Sequence, residues 1–393
     1  MTTPAIKVQQ KLDADVASAN RLAWLDCLRL TAGVSMVILH CTADPTGGAW
    51  ADYPVEERVF PLILRTFAYA ARTELFIIIS LFLLLLSLQR RPKSYAATIA
   101  EQSRRLLIPF AFWTVFFALY GLIKAHHFGY LSEKVAALSD LKTWAEFLLL
   151  GSSKYHMHFL PTLFFVVLAY PLMLKSIEAP MLGAFALLFC LVARWQLDHI
   201  FYARLWDDPM MPTIGRTIKI ATHVGYGMVA GACLGLWQQT SKAKLESWLL
   251  PTLYFGALLF AFKLISTWQT IEAGRWHFGY APGFWADFTM PALLFATCLM
   301  LGHRKWSAFF SKFAKYAFGL YLCHPIFLDL VEISLKHTEF SPWQQVSIKI
   351  VVTLVSTGLF IVSIAKTRSL GWTIGLASPA KSADFFISRR SFS

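Results

Sequence analysis

Long apolar runs constrain the fold of this chain more than any other feature. "ALLFCLVARW" (186–195) and "VVTLVSTGLFIVSIA" (351–365) are examples. Several runs approach the ~20 residues that cross a bilayer as a helix. The apolar residues do not alternate with polar ones, as they would in a half-buried strand. Only 15% of the residues are charged and 56% are hydrophobic, whereas a soluble globular protein carries roughly 25% charged residues. Length alone, 393 residues, would suit about two or three soluble domains. The runs point instead to one all-α polytopic membrane bundle of about ten transmembrane helices. The expected spans lie near 24–43, 66–88, 106–124, 158–174, 180–198, 218–238, 248–265, 284–302, 315–333 and 346–365. The apolar stretch 143–150 is too short to cross and reads as an interfacial or re-entrant piece. Three longer loops are expected at 44–65, 125–157 and 199–217.

Charge gives the orientation. Arg90, Arg91, Lys93, Arg104 and Arg105 flank the turn after the second span. Arg304, Lys305, Lys312 and Lys315 follow the eighth, and Lys366, Arg368, Lys381, Arg389 and Arg390 follow the last. With an even number of spans these all fall on one side. Asp44, Asp52, Glu56 and Glu57 fall on the other. Lys and Arg collect in cytoplasmic loops, so both termini are expected in the cytoplasm. The expected division is a cytoplasmic segment 1–21, a membrane domain 22–367 and a cytoplasmic tail 368–393. Residues 1–21 lack an apolar core, so no cleavable signal peptide is expected and the first span is the insertion signal. The net charge of +13 is accounted for by these loops. No basic stripe with interleaved aromatics lies outside the spans, so no nucleic-acid partner is expected. Six cysteines sit in or beside apolar spans without a C-x-x-C pair, as small packing residues do.

Ionisable residues inside a span are costly and mark function. In "WLDCLRLTAGVSMVILH", Arg29 and His40 are eleven residues apart. That is about 20° from eclipsed and about 16 Å along the axis. One helix face thus presents a cation near the cytoplasm and an imidazole toward the outer half, and Asp26 can pair with Arg29. The plain alternative is an interfacial anchor and a rim histidine. Glu74 opens the second span at the depth of His40, where a carboxylate would hold the imidazole tautomer; a solvated loop-edge glutamate is the alternative. Arg104 and Arg105 suit phosphate oxygens or serve as a topology signal. His156 and His158 lie two apart, on different helix faces, and make a poor metal pair; no metal site is expected. Tyr321 and His324 fall in the ninth span, where a satisfied core histidine is the alternative.

Together these segments resemble the acyltransferase 3 family of membrane O-acyltransferases. Arg29 and His40 look like its R-x10-H motif. "ELFIIISLFLLLLSLQRR…RRLLIPF" is similar to its second and third helices. "HMHFLPTLFFVVLAYPL" and "FGLYLCHPIF" look like its His-x-Trp-Phe-Leu and Tyr-Leu-x-His segments. Spans five to eight match only in hydropathy. Ser80-Leu81-Phe82 replaces the family's Ser-Gly-Phe, and His158 stands where Trp is usual. The resemblance implies transfer of an acyl group from cytoplasmic acyl-CoA, acetyl-CoA or succinyl-CoA, to a sugar hydroxyl of an envelope glycan. It implies His40 as general base and Arg29, Arg104 and Arg105 as receivers of CoA. His156, His158, Tyr321 and His324 are expected around the substrates. Within the family the chain is similar to the branch that succinylates osmoregulated periplasmic glucans. A transporter or flippase of a glycan precursor is the rival, favoured by repeat symmetry and broken helices; the sequence shows no repeat.

Overall fold

A computed structural model describes residues 22–205, 208–277, 280–367 and 369–376, apart from the side chains of 201–203. The expected N-terminal segment 1–21 and, of the expected tail 368–393, Arg368 and residues 377–393 lie outside the described residues. Every regular element among the described residues is helical. In chain order they are α1 (Ala23–Cys41), α2 (Val55–Tyr69), α3 (Thr73–Arg90), α4 (Tyr95–Phe128), α5 (Leu131–Leu138) and α6 (Leu141–Leu150). Then come α7 (Phe159–Leu168), α8 (Tyr170–Glu178), α9 (Pro180–Arg204), α10 (Met211–Gln239), α11 (Lys242–Ser247) and α12 (Leu249–Ala273). The last are α13 (Ala281–Met300), α14 (Ala308–Phe313), α15 (Ala317–Leu335) and α16 (Pro342–Lys366), with a closing 3-10 turn at Gly371–Ile374.

Nine helical runs among the described residues are long and apolar enough to cross a membrane, and α7 with α8, bent by 63°, is either a broken tenth span or a re-entrant loop. This is a polytopic all-α membrane protein. The bend falls at Ala169 and Pro171. Proline has no N–H to continue the ladder, and its ring crowds the preceding turn. Facing the bend, α10 carries Gly227, Gly231 and Gly235 at four-residue spacing. A Cβ at Gly231 would meet the Met173 carbonyl and the Ser176 hydroxyl, so small residues are what let α8 and α10 touch. α10 and α15 are the most enclosed spans. α9, α12 and α16 turn rows such as Leu250, Tyr254 and Leu258 outward, as lipid-facing helices do.

The ends of the bundle sort by charge. Gln89 and Gln238 bond the ends of α3 and α10 together, and Glu246 meets His303 and Arg304. This basic end also holds Arg90, Arg91 and Lys315. The structure alters the expected loops. Residues 55–65, expected as loop, form most of α2, which starts after Pro54 and carries Glu56 and Glu57 in its first turn, where the helix dipole favours acidic groups. α4 runs on to Phe128; its start is capped by Ser94 and its end by Gly129 in the left-handed region. The stretch 143–150 is most of α6, a short helix that is not among the spans.

Candidate active site

His40 ends α1 where three helices and one loop converge. Its ring is stacked on His324, with centroids 5.4 Å apart and planes 16° apart, and lies 4.3 Å from the Tyr155 ring. His156 completes the group, 5.4 Å from His324. Arg65 grips the turn that carries His40: its Nη1 donates to the Leu39 carbonyl at 2.6 Å. Among the described residues no hydrogen bond engages His40 Nε2, which leaves this nitrogen for a substrate.

Local sequence explains how His324 is held. In a regular helix the Tyr321 carbonyl would accept from the N–H of residue 325, but Pro325 has none. His324 Nδ1 supplies the missing bond at 2.7 Å. A carbonyl only accepts, so the neutral ring carries its proton on Nδ1 and presents Nε2 as an acceptor. His156 Nε2 donates in the same way to the Leu322 carbonyl at 3.2 Å. The Tyr321 hydroxyl donates to the His156 carbonyl. This fixes the loop before α7 to α15. Gly151, at φ 68°, lets that loop fold back; a Cβ there would come within 2.5 Å of the His158 backbone.

A chain of buried charges holds the same assembly at the end opposite the basic one. Asp329 lies between Lys154 at 2.5 Å and Lys124 at 3.3 Å. Glu332 lies between Lys124 at 2.5 Å and Lys349 at 3.7 Å. Lys349 also donates to the Ala43 carbonyl at 2.6 Å. Tyr155 and the end of α1 are thereby tied to α15 from both sides.

Glu74 corrects an expectation. Its ion pairs are with Arg72 at 2.7 Å and His223 at 3.6 Å, not with His40. The reason is helical phase. Phe76 packs against Tyr321, and Glu74, two residues earlier, points about 200° away around α3, toward α10. His158 also leaves the group of three imidazoles: its Nε2 is 2.8 Å from Lys219 Nζ. Among the described residues no three metal-ligating side chains are grouped as an ion requires.

Two cavities approach this centre. One, of about 110 Å³, opens at the basic end between Arg29, Arg105 and Lys315 and ends against Phe76 and Phe159. Both phenylalanines pack on Tyr321, at 5.9 and 5.3 Å. Arg104 is exposed and does not line it, whereas Lys315, read in the sequence only as a topology charge, does. Arg29 lies 3.6 Å from Asp26, which accepts from Ser311. The other cavity, of about 270 Å³, opens at the far end and is lined by Arg65, Thr66, Tyr69, Lys263, Trp276 and Asp287, among others. Arg65 is common to it and to the His40 turn. Tyr155, Arg65 and Lys154 escaped the sequence reading because they lie in segments taken as loop. Lys219 and His223 carried a usable signal, as ionisable residues inside the sixth span.

The acyltransferase domain model of the acyltransferase 3 family matches residues 22–362. No curated protein and no solved structure matches the chain.

Proposed function

Because the chain belongs to the acyltransferase 3 family and is thus a membrane acyltransferase, we propose that it moves an acetyl or succinyl group from cytoplasmic acyl-CoA to a sugar hydroxyl of an envelope glycan, such as an osmoregulated periplasmic glucan, at the bacterial inner membrane. The observation that carries this reading is that the His40 cluster adjoins two cavities through neighbouring residues: a cationic one at the basic end, through Phe76 and Phe159 on Tyr321, and a polar and aromatic one at the other, through Arg65 on the His40 turn. On the positive-inside rule the basic end faces the cytoplasm. Arg29, Arg105 and Lys315 then meet the phosphates of CoA, and the pantetheine arm runs toward Phe76 and Phe159. The acceptor enters from the opposite side past Arg65.

His40 Nε2 takes the proton of the acceptor hydroxyl as its oxygen attacks the thioester carbonyl. The tetrahedral intermediate collapses with cleavage of the C–S bond. The imidazolium returns its proton to the leaving CoA sulfur, so one ester and one free thiol are formed. His324, stacked on His40, and Tyr155 hold the imidazole in place.

Mass spectrometry of envelope glycans tests this in a deletion strain, a restored strain and one bearing His40→Ala at equal expression. Deletion and His40→Ala should both remove one acyl mass, and that mass names the donor. Removal by deletion alone would refute the role of His40. If neither changes glycan mass, the glycan assignment falls. Transport is then the next reading, for which the 63° break between α7 and α8 is the relevant feature.

A further inference from the structure

One buried group of charges takes no part in the steps above. Arg72, Arg216 and Lys219 converge with Glu74, His158 and His223 between α3, α10 and the start of α7. Lys219 lies within electrostatic reach of Arg72, Glu74 and Arg216, and His158 within reach of Arg216 and His223. Of the two carboxylates within electrostatic reach of Arg72, Glu74 is paired with Arg72 itself and Asp287 with Lys263 at 2.7 Å. Arg194 stands nearby but has its own partner, Asp198, at 2.8 Å. Among the described residues Arg216 and Lys219 are therefore left without a carboxylate of their own.

The polar atoms tell the same story. Among the described residues Arg216 Nε and Arg72 Nη1 are buried without a hydrogen-bond partner, and so are both carboxylate oxygens of Glu74 and both ring nitrogens of His223, a side chain only 1% exposed. The recorded bond of Lys219 Nζ is to a ring nitrogen of His158. An ion-pair network that served structure alone would balance its charges, since an uncompensated buried cation is strongly unfavourable. Arg216 also lies within electrostatic reach of Tyr321. Phe159, on the inner wall of the donor cavity, directly follows His158. The cluster therefore adjoins the inner end of that cavity.

We infer that Arg216 and Lys219, backed by Arg72, form a carboxylate-accepting site beside the reaction centre. The inference rests on the acyltransferase reading and narrows its substrates. A carboxylate offers two oxygens to the guanidinium and the ammonium, which supplies the missing partners. The part of a donor that extends beyond its thioester is the acyl chain, and the anion an acyl chain carries is a carboxylate. The source is therefore the free carboxylate of a dicarboxylic acyl group, or else a carboxylate on the acceptor sugar.

The full-length protein in lipid nanodiscs is given succinyl-CoA or acetyl-CoA, with a neutral glucan oligosaccharide or a uronic-acid oligosaccharide as acceptor. A donor carboxylate predicts a kcat/KM for succinyl-CoA about tenfold or more above that for acetyl-CoA. Arg216→Gln and Lys219→Gln should collapse this ratio toward one, and Lys219→Arg should restore much of it. An acceptor carboxylate predicts the same pattern in the ratio of acidic to neutral acceptor. If the wild type transfers without either preference, or the variants lower all four combinations equally, the cluster is structural and the inference fails while the acyltransferase reading stands. If the wild type transfers nothing in any combination while still binding acyl-CoA, both fall.

Discussion

His324 is set by a chemical gap that the chain makes for itself. Pro325 deprives the Tyr321 carbonyl of its helical donor, and the imidazole fills the vacancy. His324→Ala therefore removes the ring stacked on His40 and also leaves a buried carbonyl unpaired. The expected cost is about 1–3 kcal/mol of stability, together with at least about a tenfold fall in single-turnover transfer. His324→Asn restores a donor near the carbonyl but no ring. It should recover melting temperature in detergent without recovering transfer, and equal recovery of both would show that the ring has no role beyond the bond. The sequence already set Arg29 and His40 on one face of α1, because an eleven-residue spacing fixes a helix face without any tertiary information. Glu74 was misread because depth was matched and phase was not. Residue 76 turning toward Tyr321 decides where residue 74 points, and that depends on how α3 is rotated in the bundle. His158 stands where the family segment has Trp, and only the fold shows that Lys219 is its partner.

The helices that matter most to the site are those a hydropathy reading treats as loop. α2 carries Arg65 to the His40 turn, and its first-turn charges hid it as a helix. α6 and the fold-back after it deliver Tyr155 and His156. Gly151 makes the fold-back possible, so Gly151→Ala is strained twice, by its positive φ and by the His158 backbone. Transfer should fall severalfold or more while the melting temperature of the spans shifts little; a drop in melting temperature with transfer intact would disprove this division. The start of α6 also predicts a pH response. Asp140 accepts from the Lys142 N–H and then from the Thr143 side chain and N–H, which hold its carboxyl below the ordinary value of 3.8. The folded value being the lower one, this cap stabilises fully above the ordinary carboxylate range and is lost as pH falls through it. Hydrogen-exchange protection of 141–150, corrected for intrinsic rate, should therefore decline below about pH 4. Asp140→Asn caps without titrating, so it should remove most of that decline, and an unchanged decline would assign it elsewhere.

Across the whole molecule, hydropathy and loop charge were enough to give a polytopic all-α bundle of about nine or ten candidate spans and the gathering of basic residues at one end, because both are properties of single segments. The two cavities were not legible, since each is assembled from helices far apart in sequence. Their separation has a kinetic consequence. Lys315 and Arg105 stand at the mouth of the cavity at the basic end, well removed from His40 at the far end of α1. Charges at a mouth steer an anionic substrate and hold its phosphates, yet they change little between ground state and transition state. Their loss should weaken binding and leave the chemical step nearly intact. Lys315→Glu is thus expected to raise the KM for acyl-CoA about tenfold with kcat held within about twofold, and Lys315→Arg should stay close to wild type. The KM effect should shrink as ionic strength rises past about 0.15 M, where the Debye length is about 8 Å. The KM for the glycan acceptor should not move, because the acceptor uses the other opening. A rise in the acceptor KM, or a fall in kcat with the donor KM unchanged, would mean that the substrates do not enter from opposite ends.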